Sequence, residues 1–118
     1  MLDSRFEDGT YLIQQNVEIV NYGERWAYGY FVADGQRGVE LDPETFKLWA
    51  DAHISAAMRK VAKESGTNLV GVWTRPETGI IYIDPVNHIS DRESAVKLGT
   101  ERGELAIWDA RDNVAITL

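Results

Sequence analysis

Alternating hydrophobic and polar positions run through most of the chain and predict β-strands. Residues 10–20 (TYLIQQNVEIV) place one set of apolar side chains on a single face: Tyr11, Ile13, Val17 and Ile19. Residues 26–33 (WAYGYFVA) predict a second strand, and residues 38–41 a short third one. Gly29, inside the second stretch, indicates a bulge or a close backbone approach.

The pattern changes to a helical period between Asp42 and Gly66. Asp42 is a natural N-cap, Pro43 suits the first helical position, and Gly66 suits the left-handed residue that ends a helix. We expect one broad face of this helix to cover the sheet. Its members are Phe46, Trp49, Ala50, His53, Ile54, Ala57, Met58 and Val61.

The second half of the chain predicts two hairpins that flank a short helix. Residues 68–74 and 79–84 form the first hairpin, and residues 85–89 a loop. The helix runs over about residues 91–102, with capping-box spacing between Ser90 and Glu93. We expect Gly99 to allow close approach to the sheet and Gly103 to end the helix. Residues 105–109 and 114–118 form the last hairpin.

The predicted fold class is α+β. An antiparallel sheet built from hairpins, in the order βββ-α-ββ-α-ββ, packs on one long and one short helix. With 118 residues, we expect residues 1–118 to form a single domain.

Composition excludes several classes of protein. The chain has no cysteine, which removes disulfides, thiolate metal ligands and cysteine nucleophiles. No stretch approaches the ~20 apolar residues of a membrane span, and the acidic start MLDSRFEDG is unlike a signal peptide. We therefore expect a cytoplasmic protein without a membrane partner. The oligomeric state stays open.

The net charge of −7 is unevenly distributed. Residues 1–51 carry ten acids and four bases, or −6, and residues 52–118 carry nine acids and eight bases, or −1. Because this acidity repels phosphate backbones, direct nucleic-acid binding is disfavoured and a basic protein partner is favoured. The alternative is that the acidity only keeps the chain soluble. The expected contacts are Glu18, Glu24, Asp34, Glu40, Asp42, Glu44 and Asp51.

Aromatic residues at strand spacing add a second candidate surface. Trp26, Tyr28 and Tyr30 would form a row on the second strand. This row either packs on the helix or binds a partner, since Trp and Tyr are enriched at interfaces. We expect Trp73 and Trp108 to point into the core instead.

The candidate chemistry is sparse. His53 and His88 are the two histidines, and His53 falls on the apolar helix face, which predicts a core residue. Asp84 and His88 could form an acid–base pair. The chain has no cysteine and its histidines lack the spacing of a metal site, so we expect no cofactor and no metal. Nucleophile-elbow and phosphate-loop motifs are absent from the sequence.

The C-terminal motifs resemble a known group of proteins. Tyr82-Ile83-Asp84 ends a hairpin strand, and the segment DRESAVKLGTERGELAIWD, residues 91–109, follows. Over residues 69–118 this resembles uncharacterised small proteins of bacteriophages and mobile elements. The resemblance implies a phage-type accessory protein and assigns no catalytic residue.

Together these features predict a non-enzymatic protein that acts by protein–protein binding. The specific hypothesis is an acidic inhibitor of a host defence or nucleic-acid-handling complex, anti-CRISPR-like, in the host cell cytoplasm. One alternative is a small enzyme or enzyme-associated domain that uses Asp84 and His88. Another is a phage structural or assembly component.

Overall fold

The computed structural model describes residues 6–14, 18–25, 27–42, 44 and 47–118, and these residues form an antiparallel sheet with helices. The eight strands within them are β1 Gly9–Leu12, β2 Val20–Asn21, β3 Tyr30–Ala33, β4 Val39–Leu41, β5 Leu69–Thr74, β6 Ile81–Ile89, β7 Ala106–Asp109 and β8 Val114–Thr117. The helices are α1 Tyr22–Arg25, α2 Ala50–Ser65 and α3 Arg92–Glu101. The strand order is β2-β1-β5-β6-β3-β7-β8, with β4 also beside β6.

Strand β6 is the centre of the sheet. One of its edges pairs with β5, and its other edge pairs first with β4 and then with β3. Between β3 and β4 the chain leaves the sheet in a 3₁₀ turn at Gly35–Arg37. Asp84 and Pro85 therefore lie where this edge of β6 changes partner.

Both longer helices pack on the same face of the sheet, which we call the first face. The odd-numbered residues of β6 point to it: Ile81 and Ile83 lie in one buried cluster with Ile54 and Met58 of α2. Farther along, Val32 and Ile107 lie in a second cluster with Ala95 of α3. Burial of these apolar side chains supplies the main driving force for the fold.

The described residues cover only part of the opposite face, which we call the second face. Phe31, Leu69 and Val86 form a buried cluster there, with Tyr22 of α1 packed against it. The remainder, formed by the first half of β6 with β4 and β5, carries the exposed side chain of Trp73. We call this region the open half of the second face.

The predicted element order is wrong in the first third of the chain. The expected strand over residues 10–20 is two short strands, β1 and β2, which pair with each other; residues 15–17 lie outside the described residues. Helix α1, which the alternation does not reveal, follows β2. The order is thus ββ-α-ββ-α-ββ-α-ββ.

The predicted loop at residues 85–89 is also wrong, because β6 continues to Ile89. The Pro85 carbonyl oxygen accepts from the Asp34 N–H at 2.9 Å. The carbonyl and the amide position of one strand residue point to the same edge. The missing N–H of Pro85 therefore falls at the gap between β3 and β4, where a proline is tolerated.

The predicted long helix begins later than its capping signals indicate. Helix α2 starts at Ala50 after a 3₁₀ turn at Lys47–Trp49. The Asp42 carboxylate accepts from the Glu44 N–H at 3.0 Å, well before the start of α2. Pro43 and Phe46, which belong to this prediction, lie outside the described residues.

The predicted face of this helix is correct only in part. Ala50, Ile54, Met58 and Val61 are buried, but Trp49 is 68% exposed and His53 is exposed. Residues 49 and 53 form an i, i+4 row beside the buried one. The sheet does not reach that row.

The signals for helix ends in the second half are confirmed. Gly66 is left-handed, with φ 72°, and its N–H donates to the Ala62 carbonyl at 3.0 Å. After α3, Gly103 is also left-handed, and the Glu104 N–H donates to the Gly99 carbonyl at 3.0 Å. These bonds satisfy the last carbonyl groups of each helix.

Helix α3 begins at a different cap from the one predicted. The Asp91 carboxylate, rather than Ser90, accepts from the Ser94 N–H at 2.8 Å.

Among the described residues, no helix is long and apolar enough to cross a membrane.

Candidate functional site

An exposed aromatic pair lies on the open half of the second face. Trp73 of β5 is directly opposite Tyr82 of β6, and their ring centroids are 5.3 Å apart at 33°. Trp73 is 50% exposed and Trp108 is 41% exposed, so the prediction that both point into the core is wrong. Glu40 of β4 is opposite Tyr82 on its other side, which places a carboxylate next to the pair.

Arg75 follows β5 and lies beside Tyr82, within electrostatic reach of Glu40. A hydrogen bond with Tyr82 is the largest of the effects that raise the pKa of the Arg75 guanidinium. Its Nε is also 3.6 Å from Glu77 Oε2, in an exposed ion pair. Glu77 thus partly balances this positive charge.

Asp84 lies one step further along β6 on the same face. The Asp84 residue is opposite Gly71 of β5, and its carboxylate lies against Gly38, which precedes β4. Burial, together with the negative charges of three neighbours, raises the pKa of the Asp84 carboxyl to about 6. Those neighbours are Glu104, Asp34 and Glu40.

We call these four residues the acidic patch: Asp34, Glu40, Asp84 and Glu104. Glu104 follows α3, and its Oε1 accepts from the Gly35 N–H at 3.1 Å, which fastens the 3₁₀ turn beside β6. The negative charges of Asp34, Glu40 and Glu104 act through space on the Asp84 carboxylate. Within the described ranges, however, no three His, Cys, Asp or Glu residues are arranged to hold a metal ion.

The structure brings together only some of the expected acidic contacts. Asp34 and Glu40 lie in the acidic patch, whereas Glu18 and Glu44 are exposed on other segments. Asp51 is half-buried in the first turn of α2. The side chain of Glu24 lies outside the described part of the chain.

Two members of the patch, Asp84 and Glu104, were missed as contacts by the sequence analysis. Both belong to the nearly neutral half of the chain, and pairing of β6 with β4 and β3 brings that half beside the acidic one. Charge counted along the chain therefore does not describe charge on the surface. The close glycines on both strands beside Asp84 are visible only once the register is known.

The predicted row of three aromatic residues does not form. Gly29, with φ 73°, breaks the extended chain before β3, so Tyr28 lies in a bend and Tyr30 in the strand. Tyr30 packs beside the cluster beneath α3, whereas Tyr28 is 50% exposed. Trp26 lies outside the described residues.

His88 lies among aromatic rings at the covered end of the second face. The ring centroids of Tyr22, Tyr28 and Phe31 are 5.4, 4.9 and 5.0 Å from its own. Its Nε2 is 2.6 Å from the Tyr28 carbonyl oxygen, and its Nδ1 is 3.2 Å from the Tyr22 hydroxyl. A carbonyl only accepts, so in the neutral ring Nε2–H donates and Nδ1 accepts from Tyr22.

This geometry does not make Asp84 and His88 an acid–base pair. They lie four residues apart on one strand, which separates them by about 13 Å. Both ring nitrogens of His88 are engaged by tyrosines. The contacts of His88 instead join α1 and the bend at Tyr28 to the sheet.

A polar cleft of about 340 Å³ lies on the first face, near the C-terminal ends of α2 and α3. Arg102 forms one side, where its guanidinium donates to the Val32 carbonyl at 3.1 Å and to Asn87 Oδ1 at 2.6 Å. These bonds tie the end of α3 to β3 and β6. Arg102 therefore has a structural role in this cleft.

The chain has no significant match among protein-family models, curated proteins or solved structures. The resemblance of residues 69–118 to small phage proteins accordingly stays a prediction. The geometry of the second face is the basis for a functional hypothesis.

Proposed function

We propose that this protein works by binding another protein that has a basic surface, and that it is not an enzyme. The more specific proposal is that it inhibits a host defence or nucleic-acid-handling complex by occupying a basic nucleic-acid channel, as an anti-CRISPR protein does. This proposal rests on the surface of the molecule, and the C-terminal resemblance to phage and mobile-element proteins is consistent with it.

The observation that carries the proposal is the position of two carboxylates of the acidic patch, Glu40 and Asp84, beside an exposed aromatic pair. Interfaces combine aromatic anchors with polar surroundings, and complementary charge speeds the encounter of two proteins. Here Trp73 supplies exposed aromatic area and Glu40 supplies charge next to it. The repulsion that Glu104, Asp34 and Glu40 exert on ionised Asp84 favours a partner that brings positive charge.

The experiment is inhibition of purified effector nucleases in vitro. Each nuclease cleaves a labelled DNA target while the concentration of this protein is raised, and binding is measured in parallel by biolayer interferometry. We expect stoichiometric inhibition of at least one effector, relieved when excess nucleic acid is added first. Absence of both binding and inhibition across the panel would contradict the proposal for effector nucleases.

A second function, catalysis by Asp84 and His88, has less support. The engaged nitrogens of His88 and its distance from Asp84 argue against that pair, as described above. Loss of a measured activity in both Asp84→Asn and His88→Ala, with the fold intact, would favour the enzyme instead.

A further inference from the structure

The aromatic pair and the acidic patch together have the chemistry of a site for a cationic side chain. The π-face of a tryptophan attracts a lysine ammonium or an arginine guanidinium. Trp73 presents half of its surface to solvent, and the Glu40 carboxylate lies on the far side of Tyr82. Asp8 adds another carboxylate near the pair, since its Oδ1 accepts from the Thr74 N–H at 2.9 Å.

We propose that the partner docks a lysine or arginine side chain on the Trp73–Tyr82 pair, with its charged group directed toward Glu40 and Asp84. This inference rests on the proposed function, because it specifies which chemistry of a basic partner the second face recognises. The ligand that binds to the open half of the second face is a basic segment of another protein.

The Asp84 carboxylate is half-buried beside the aromatic pair, where it lies against the backbone of Gly38, the residue that precedes β4. Gly71, opposite Asp84 on β5, has no side chain to cover it from that strand. The negative charges of Glu104, Asp34 and Glu40 disfavour the ionised form of Asp84. A cation placed among them relieves that repulsion, whereas an apolar side chain would leave it unchanged.

Arg75 is a charge of the wrong sign for a cationic ligand, since it is hydrogen-bonded to Tyr82 and also interacts with the Glu40 carboxylate. Its ion pair with Glu77 offsets part of its positive charge. A cationic ligand therefore has to compete with Arg75 for the negative charge of Glu40. Removal of the Arg75 charge should therefore strengthen binding of a cationic ligand. If the ligand made only a hydrophobic contact with Trp73, the Arg75 charge would have no such effect.

The test uses a fluorescein-labelled peptide of six arginines separated by serines as the probe, with a peptide of glutamates in place of arginines as its control. Binding is followed by fluorescence anisotropy at low salt, and the indole N–H signals of the tryptophans are followed by NMR. We expect the arginine peptide to bind and to shift the Trp73 indole signal, while the glutamate peptide does neither.

The variants separate this site from general acidity. Trp73→Ala should weaken binding about fivefold to tenfold, consistent with one cation–π contact. Glu40→Gln should weaken it about threefold, and Arg75→Gln should strengthen it by roughly twofold. Trp108→Ala is the matched control, because Trp108 is exposed to a similar degree and lies beside Phe31 on β3, away from the pair. It should change binding less than twofold.

Equal losses in Trp73→Ala and Trp108→Ala, or binding without a shift of the Trp73 signal, would overturn the inference. If Trp73→Ala does not fold, the inference is tested by the peptide affinity of Glu40→Gln and by the shift of the Trp73 indole signal in the wild-type protein. The two proposals fail separately. If Trp73→Ala inhibits a nuclease as well as the wild type does, the proposed function stands and the cation site is wrong. If the arginine peptide binds at Trp73 but no nuclease is inhibited, the cation site stands and the proposed function is wrong.

Discussion

Gly38 lies so close to Asp84 that a side chain at position 38 would overlap the Asp84 carboxylate. A Cβ built on Gly38 would also come within 2.6 Å of the Ile83 carbonyl oxygen, which is backbone and cannot move aside. This contact closes the turn between β3 and β4 over the centre of the sheet and positions the acidic patch.

Gly38→Ala should therefore destabilise the fold by about 1–3 kcal/mol, the usual cost of overpacking. Urea unfolding followed by circular dichroism measures the change. Gly35→Ala, in the same turn, is the control, because its Cβ would lie 3.5 Å from Glu104 in ordinary contact. Its effect should stay within about 0.5 kcal/mol. If both variants lost the same free energy of unfolding, the turn would be sensitive to any added side chain, and the contact with Asp84 would not explain the effect.

The raised pKa of Asp84 predicts a pH-dependent stability. Burial and the charges of Glu104, Asp34 and Glu40 raise this pKa from 3.8 to about 6. The folded state therefore prefers the protonated acid, and the stability present below pH 3.8 is lost as the pH rises through about 6. The shift corresponds to at most ~3 kcal/mol, which partial solvent exposure reduces to roughly 1–2 kcal/mol.

Asp84→Asn should remove this dependence. Relative to wild type, the variant should gain about 1–2 kcal/mol in free energy of unfolding between pH 4 and pH 8. Urea titrations at both pH values measure the difference, in which contributions common to wild type and variant cancel. If the difference in free energy of unfolding between variant and wild type were the same at pH 4 and pH 8, ionisation of Asp84 would not destabilise the fold.

Local signals explain why the second half of the chain could be predicted. Gly66 and Gly103 end their helices through left-handed backbone, which other residues rarely adopt. Gly99 allows close approach, since a Cβ there would lie 2.7 Å from Ile107. The hairpins β5–β6 and β7–β8 join neighbouring segments, so their pairing also follows from local sequence.

Long-range pairing explains what could not be predicted. The capping signals at Asp42 are present, but helix α2 begins at Ala50. Trp73 has the alternation of a core residue, yet it points to a part of the second face that no helix among the described residues covers. The acidic patch depends on β6 meeting both β3 and β4, a register that no local pattern contains.

The face that α2 turns to the sheet can be tested by two substitutions. Ile54 is fully buried in the cluster beneath α2, so Ile54→Ala should cost about 2–5 kcal/mol. Trp49 is 68% exposed, so Trp49→Ala should cost less than about 1 kcal/mol. Thermal unfolding of both variants measures the contrast. A larger loss at Trp49 would mean that the helix is rotated.

His88 should contribute to stability and not to binding. His88→Leu removes the bonds to Tyr22 and to the Tyr28 carbonyl, and should cost about 1–3 kcal/mol. Tyr22→Phe removes one of them and should cost about 1 kcal/mol. Inhibition of the nuclease, measured well below the melting temperature, should be unchanged in both. Loss of inhibition in folded His88→Leu would place this residue in the functional surface.

Charge on the first half of the chain should control how fast the partner binds. Glu40→Gln, Glu44→Gln and Asp51→Asn together remove three negative charges, and should lower the association rate by about tenfold at low salt. Dissociation should change less, because complementary charge acts mainly on the encounter. Asp42 is left unchanged, since its carboxylate accepts from the Glu44 N–H.

The matched control removes the same charge from exposed positions in the second half: Glu64→Gln, Glu101→Gln and Asp112→Asn. It should slow association much less, and the melting temperature of each triple variant checks the fold. Wild-type association should also weaken with salt, because the screening length is only ~8 Å at physiological ionic strength. If both triple variants slow association equally, or if salt has no effect, charge steering is not the mechanism. The Trp73–Tyr82 pair would then have to supply the affinity through contact alone.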